Sequence, residues 1–232
     1  MLQTICGISV DWAATGAMLQ GIGTVIGGIA VLVGAEKAAN TWKEQKRAER
    51  RLEMAEKIVA ATYNGRRALA QVRSPMMWGY EQAAAEEKLK QDEQFGWQLE
   101  DRKKRLITAQ AYYNRLNATK NEQLALDECL PMARALFNEE LEKAIDTLSH
   151  QFWMVQVDVD CYIDDDGKGD PDFTKKIRRG MYDVGPSKDN EVSTAIKDSV
   201  STIEQLCAPA LRLDADGKRS GSLISRISSL WK

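Results

Sequence analysis

WAATGAMLQGIGTVIGGIAVLVGA, Trp12 to Ala35, is a run of 24 residues without Asp, Glu, Lys or Arg in a chain that is 28% charged. At about 1.5 Å per residue a helix of that length reaches roughly 36 Å, enough to cross a hydrocarbon core of roughly 30 Å with some tilt. Its side chains are sorted by size. Ala13, Gly16, Gln20, Gly23, Gly27, Ala30 and Gly34 follow one another at alternating steps of three and four, which puts them on one seam of a helix. Ala14, Ala17, Gly21, Thr24, Gly28 and Ala35 make a second seam beside it, and Met18, Leu19, Ile22, Val25, Ile26, Ile29, Leu32 and Val33 take the opposite face, as expected of a surface that meets lipid tails. Within a bilayer, helices associate through close backbone approach and interhelical hydrogen bonds. The seam of Gly16, Gln20, Gly23, Gly27, Ala30 and Gly34 therefore reads as a packing surface for another copy of the chain or for a partner membrane protein. Two adjacent seams point to a neighbour on each side, as in a ring of three or more subunits.

The competing interpretation is a glycine-rich helix inside a soluble core, where each glycine costs about 0.8 to 1 kcal/mol of helix propensity relative to Ala. The flanks favour the membrane. Trp12 and Trp42 bracket the run at the spacing of two headgroup regions, where Trp rings prefer to sit. Residues 1–11 carry no Lys or Arg, whereas Lys37, Lys43, Lys46, Arg47, Arg50 and Arg51 crowd the far side. The positive-inside rule then predicts a single-pass protein of the cell (inner) membrane, with a short translocated N-terminus at 1–11, the span at 12–35 and the bulk of the chain cytoplasmic. A cleaved signal peptide fits poorly, since a basic n-region is missing and the apolar run is long. The juxtamembrane cluster Lys43, Lys46, Arg47, Arg50 and Arg51 can meet anionic lipid, diluted by Glu36, Glu44 and Glu49.

Beyond the span the periodicity is helical throughout, so the predicted fold class is all-α. A single N-terminal transmembrane helix is expected to continue into a cytoplasmic antiparallel helical bundle, residues 36–213, with a long coiled-coil-like first helix. Ala48, Leu52, Ala55, Val59, Thr62, Arg66 and Leu69 fall at heptad steps in that first helix. With Ala, Thr and Arg on it the seam is weak, so it is expected to pack against other helices of its own domain. Ser74-Pro75 ends it, and Met76, Met77, Trp78 and Tyr80 read as a corner of the core. Helices are predicted over 79–93 and 99–128, the second with an inner stripe of Leu106, Ala109, Tyr113, Leu116 and Lys120 and Tyr112 beside it. Another starts at Pro131 and runs through Leu141, Ile145, Leu148, Phe152 and Val155 towards Tyr162, and the last runs from about Asn190 to Leu211. Residues 214–221 read as a linker and 222–232 as an amphipathic tail able to lie in the interface or dock on a partner.

The chemistry-bearing signals are few. The four cysteines form no CxxC pair, and the single histidine, His150, has no metal-sharing neighbour at i+3 or i+4. The acidic stretch from Asp158 to Asp172 invites a calcium-loop reading, but with Gly167 at the sixth loop position the twelfth is Phe173, and with Gly169 it is Lys175. A solvated turn with Asp172 capping the next helix fits better. No nucleophile elbow, phosphate loop or zinc-protease motif is present. With a net charge of −2, the composition does not advertise nucleic-acid binding. The sequence thus predicts no enzyme, no cofactor and no metal site, and identifies no small-molecule substrate. The expected partners are membrane lipid and the chain itself or a partner membrane protein. The leading function is a membrane-anchored helical interaction or sensing module that oligomerises through its transmembrane seam. The alternatives are a pore-forming effector of a bacterial defence or stress system, with Gln20 and Thr24 facing the lumen, and a soluble protein with a glycine-rich core helix.

Overall fold

The computed structural model describes the backbone of residues 12–183 and 190–227, with the side chains of 31–183 and 190–212. The described residues are helical and contain no strand. Helix α1 spans Trp12–Val72, followed by α2 (Gly79–Leu89), a 3-10 turn (Glu93–Trp97), α3 (Glu100–Ala118), α4 (Lys120–Asp127), α5 (Leu130–Leu136), α6 (Glu139–Asp164), α7 (Pro171–Met181) and α8 (Glu191–Ile227). Two compact units divide the chain at Arg50 and Arg51.

In the first unit every side chain from 31 to 50 is exposed, including Val31, Leu32, Val33 and Trp42. A Cβ built on Gly34 would meet nothing within 4 Å. Trp12, Gly16, Gln20, Gly23, Gly27 and Ala30 lie outside the described side chains. No helix among the described residues is long and apolar enough to cross a membrane, and of the uncharged run only 31–35 fall among residues with described side chains. The basic cluster is solvated here, with Lys46 Nζ 2.6 Å from Glu49.

The second unit is a helical bundle built around α6. From Arg51 onward α1 turns one face inward, burying Ala55, Ile58, Ala61, Thr62, Ala68, Leu69 and Val72 at helical spacing. The first core layer joins Ile58 and Leu69 to Leu126, to Leu141, Ile145, Leu148 and Phe152 of α6, and to Val200, Ile203 and Cys207 of α8. The second joins Val72 to Ala109 and Tyr112 of α3, to Val155 and Val159 of α6, and to Ile177 and Met181 of α7. Fully burying a Leu or Ile side chain contributes about 1.5–3 kcal/mol, so these two layers hold the unit together. At Gly65 helix α1 comes close to α4, and a Cβ there would sit 2.7 Å from Leu126 Cδ1.

Several expected boundaries move. The helix predicted over 99–128 breaks at Thr119, whose hydroxyl donates back to the Arg115 and Leu116 carbonyls at 3.1 and 3.2 Å. The one predicted from Pro131 breaks at Phe137–Asn138, because Asn138 Oδ1 accepts from Leu141 N at 2.8 Å and starts α6 afresh. Asp170, not Asp172, caps α7, with Pro171 in the first turn and Asp172 N donating to Asp170 Oδ1 at 2.9 Å. Helix α8 carries Pro209 inside it and continues through 214–221, where the sequence marks a linker. On α3 Ala109 is buried with Tyr112 beside it, Arg115 is buried where the stripe places Tyr113, and Lys120 is exposed at the start of α4. Met76, Trp78 and Tyr80 are exposed at 60, 57 and 73% rather than lying in the core, a consequence of how their backbone is held.

Candidate functional site

Two buried arginines organise the ends of these helices. Arg115 reaches the segment after α1, donating to the carbonyls of Val72, Ser74 and Met76 at 3.3, 2.8 and 2.6 Å. It also makes a bidentate pair with Glu81, both contacts at 2.8 Å. Those carbonyls face inward to meet it, which leaves Met76 and Trp78 pointing out. Hydrogen bonding to Arg115 holds the Glu81 carboxyl below its ordinary value and raises the guanidinium in turn.

Arg73, only 1% exposed, does the same work between α7 and α8. Its Nε donates to Gly180 O at 2.8 Å, Nη2 to Arg179 O at 3.0 Å and Tyr182 O at 3.3 Å, Nη1 to Ser193 Oγ at 3.0 Å and Nη2 to Asn190 Oδ1 at 3.2 Å. The cation thus sits against the carbonyl-rich end of α7, where the helix dipole favours it. Asn190 completes the junction by donating to Arg179 O and Tyr182 O and accepting from Ser193 N at the start of α8. Burial lowers the Arg73 guanidinium from its ordinary value, offset by the charges of Asp183 and Asp158.

Above this junction α6, α7 and the start of α8 enclose a cleft of about 280 Å³. Asp158 enters it from α6 and lies over Gly180, where a Cβ would fall 1.6 Å from Oδ2. Lys175, Lys176 and Arg179 line it from α7, Glu191 and Val192 from α8, and Met154 from α6. Burial pushes the Asp158 carboxyl up to about 6, against the pull of Arg73 and Lys176 and with some help from Glu191. A second cavity of about 640 Å³ lies between α1 and α8, lined among others by Arg66, Arg73, Lys197 and Glu204, with Tyr63 donating to Glu204 at 2.5 Å.

Among the described residues, none of the site residues expected from sequence lines either cavity. Gly34, Trp42, Lys43, Lys46, Arg47 and Arg50 stand on the exposed part of α1, and Arg51 rests its guanidinium 5.2 Å from the Phe137 ring centre. The acidic stretch divides: Asp158, Asp160 and Asp164 belong to α6, and residues 165–170 make a turn in which Gly167, at φ +72°, donates to Asp165 Oδ1. Among the described residues no group of three His, Cys, Asp or Glu could hold a metal. His150 stacks on Trp153 with ring centres 4.9 Å apart. Cys129 and Cys207 are buried free thiols, the second pushed up to about 11, which leaves little reactive thiolate. Sequence reasoning passed over Arg73 and Arg115, and weighed Asp158 only as a member of the acidic stretch, not as a cleft residue. Each does carry a signal, since Arg73 directly precedes Ser74-Pro75, Arg115 follows Tyr112 by three and Asp158 follows Val155 by three, both on inner stripes. Comparison with known proteins finds no matching family model, no similar curated protein and no similar solved structure.

Proposed function

We propose that this chain is a membrane-anchored helical interaction module, in which residues 12–35 cross a bilayer and copies associate through the seam of Gly16, Gln20, Gly23, Gly27, Ala30 and Gly34. The bundle then stands on the cytoplasmic side, with Trp12 and Trp42 at the two interfaces and the basic cluster against anionic headgroups. The role is one of anchoring and binding rather than catalysis. The supporting observation is the stretch 31–50 of α1, in which no side chain is covered, although it includes Val31 at 71% and Leu32 at 72% exposure. Successive large aliphatics left uncovered on a helix mark a surface that meets something else. They also continue the uncharged run that begins at Trp12.

The test is the mass of the full chain in mild detergent, beside the Gly23→Leu/Gly27→Leu variant. Leucines on the seam would hold neighbouring backbones apart. The expected result is a detergent-dependent multimer for wild type and a smaller species for the variant. A wild-type chain that is monomeric and stays in solution without detergent would contradict both anchor and seam. Ion flux through liposomes that is lost with Gln20→Leu would favour the pore instead.

A further inference from the structure

The cleft above the Arg73 junction has walls of opposite charge. Asp158 of α6 and Glu191 of α8 bring acids, while α7 brings three bases, Lys175, Lys176 and Arg179, and one acid, Asp172. Lys175 is paired with Asp172 of its own helix at 3.4 Å, which removes one charge of each sign from the balance. Asn190 is spent on the junction, through its contacts to Arg73, Arg179, Tyr182 and Ser193. The charged groups left to a ligand are the half-buried Asp158 carboxylate and the exposed Glu191 and Lys176 side chains. The Asp158 carboxylate lines the cleft, lies over Gly180 and meets no hydrogen-bond donor among the described residues. Gly180 keeps that position open, since any larger residue would displace Asp158.

We propose that this cleft binds a small zwitterion of the amino-acid class, its ammonium group received by Asp158 and Glu191 and its carboxylate turned towards Lys176 on the α7 wall. A simple anion would face two carboxylates, and a simple cation would face the α7 bases. A metal ion lacks a third ligand among the described residues. The volume is near the small end of ligand cavities, roughly 300–1,000 Å³, and Met154 and Val192 supply an apolar patch for a short side chain. The site does not depend on whether the chain is anchored in a membrane.

The experiment is calorimetric titration of the full chain, in detergent, with alanine and glutamate as zwitterions and with ethylamine and propionate as single-charge probes. The zwitterions are expected to saturate, with the single-charge probes at least about tenfold weaker, the loss expected for one charged contact. Asp158→Asn and Lys176→Met should each weaken alanine by about tenfold, while Lys104→Met, on α3, should leave it unchanged. Thermal melts of the variants show that each is folded. Asp158 is faced by Arg73 just past α1, by Lys176 from α7 and by Glu191 from α8, and alanine affinity should fall as the pH drops through about 6. Ethylamine binding as tightly as alanine would overturn the zwitterion assignment, as would alanine binding that survives Asp158→Asn. Failure of every probe to saturate in the tens of millimolar would overturn the site itself.

Discussion

Arg73 ties the end of α1 to the end of α7 and the start of α8. A buried guanidinium loses several kcal/mol of hydration, and its five hydrogen bonds to the α7 end and the α8 start roughly offset that. Removing it takes a donor from five acceptors at two helix ends, of which Arg179 O, Tyr182 O and Asn190 Oδ1 keep a second one. Arg73→Met should destabilise the second unit by about 3–5 kcal/mol, read by denaturant unfolding. Gly180→Ala should cost about 1–3 kcal/mol through overpacking, because its Cβ meets Asp158 at 1.6 Å. Adding Asp158→Ala should recover most of that loss, and additive losses would show that the close approach is not the cause. Asp158 has a pH signature as well. Its carboxyl is raised from 3.8 to about 6, so the folded state holds the proton more tightly than the unfolded chain. That contribution favours folding below 3.8 and is lost as pH rises through about 6. Asp158→Asn should therefore be the more stable protein at neutral pH, by on the order of 1 kcal/mol once solvent screening is allowed for, with the gap closing in acid. Such a group lowers stability where it stands, as binding residues commonly do.

At the scale of the elements, apolar periodicity was a good guide and local capping was the weak point. The α6 stripe of Leu141, Ile145, Leu148, Phe152 and Val155 is buried as its spacing predicts. The end of α1 at Val72 lies just ahead of Ser74-Pro75. The breaks at Thr119 and Asn138 were not legible, because a side chain that caps and one that merely points outward look alike until the neighbouring helix is placed. The cleft was hidden for a related reason. Asp158 belongs to an acidic run whose other members are solvated, and only the packing of α7 on α6 separates it from them. The corner after α1 exposes its aromatic residues because Arg115 draws the backbone inward, and Glu81 keeps Arg115 in place. Their side chains are 8 and 17% exposed, so Glu81→Gln breaks a largely buried bidentate pair and should cost about 3 kcal/mol at neutral pH. Glu81 is held below its ordinary 4.5, so its contribution is full above that value and fades as pH falls through the lowered one. The difference between wild type and variant should shrink accordingly in acid melts.

For the whole molecule, the all-helical bundle could be read from periodicity, while the role of residues 12–35 is carried by composition alone. An uncharged run with sorted faces, two bracketing tryptophans and one-sided basic flanks is a physical argument for a bilayer. The uncovered Val31, Leu32 and Trp42 agree with it. A helix that spans is held by about twenty apolar residues and resists alkaline washing, whereas one held by charge at the surface is released. The most direct measurement is therefore flotation of the full chain with liposomes, followed by extraction at high pH and high salt. Retention of the chain in the floated lipid after both washes is the expected result. Release into the soluble fraction, or failure to float at all, would contradict the membrane anchor on which the proposed function rests.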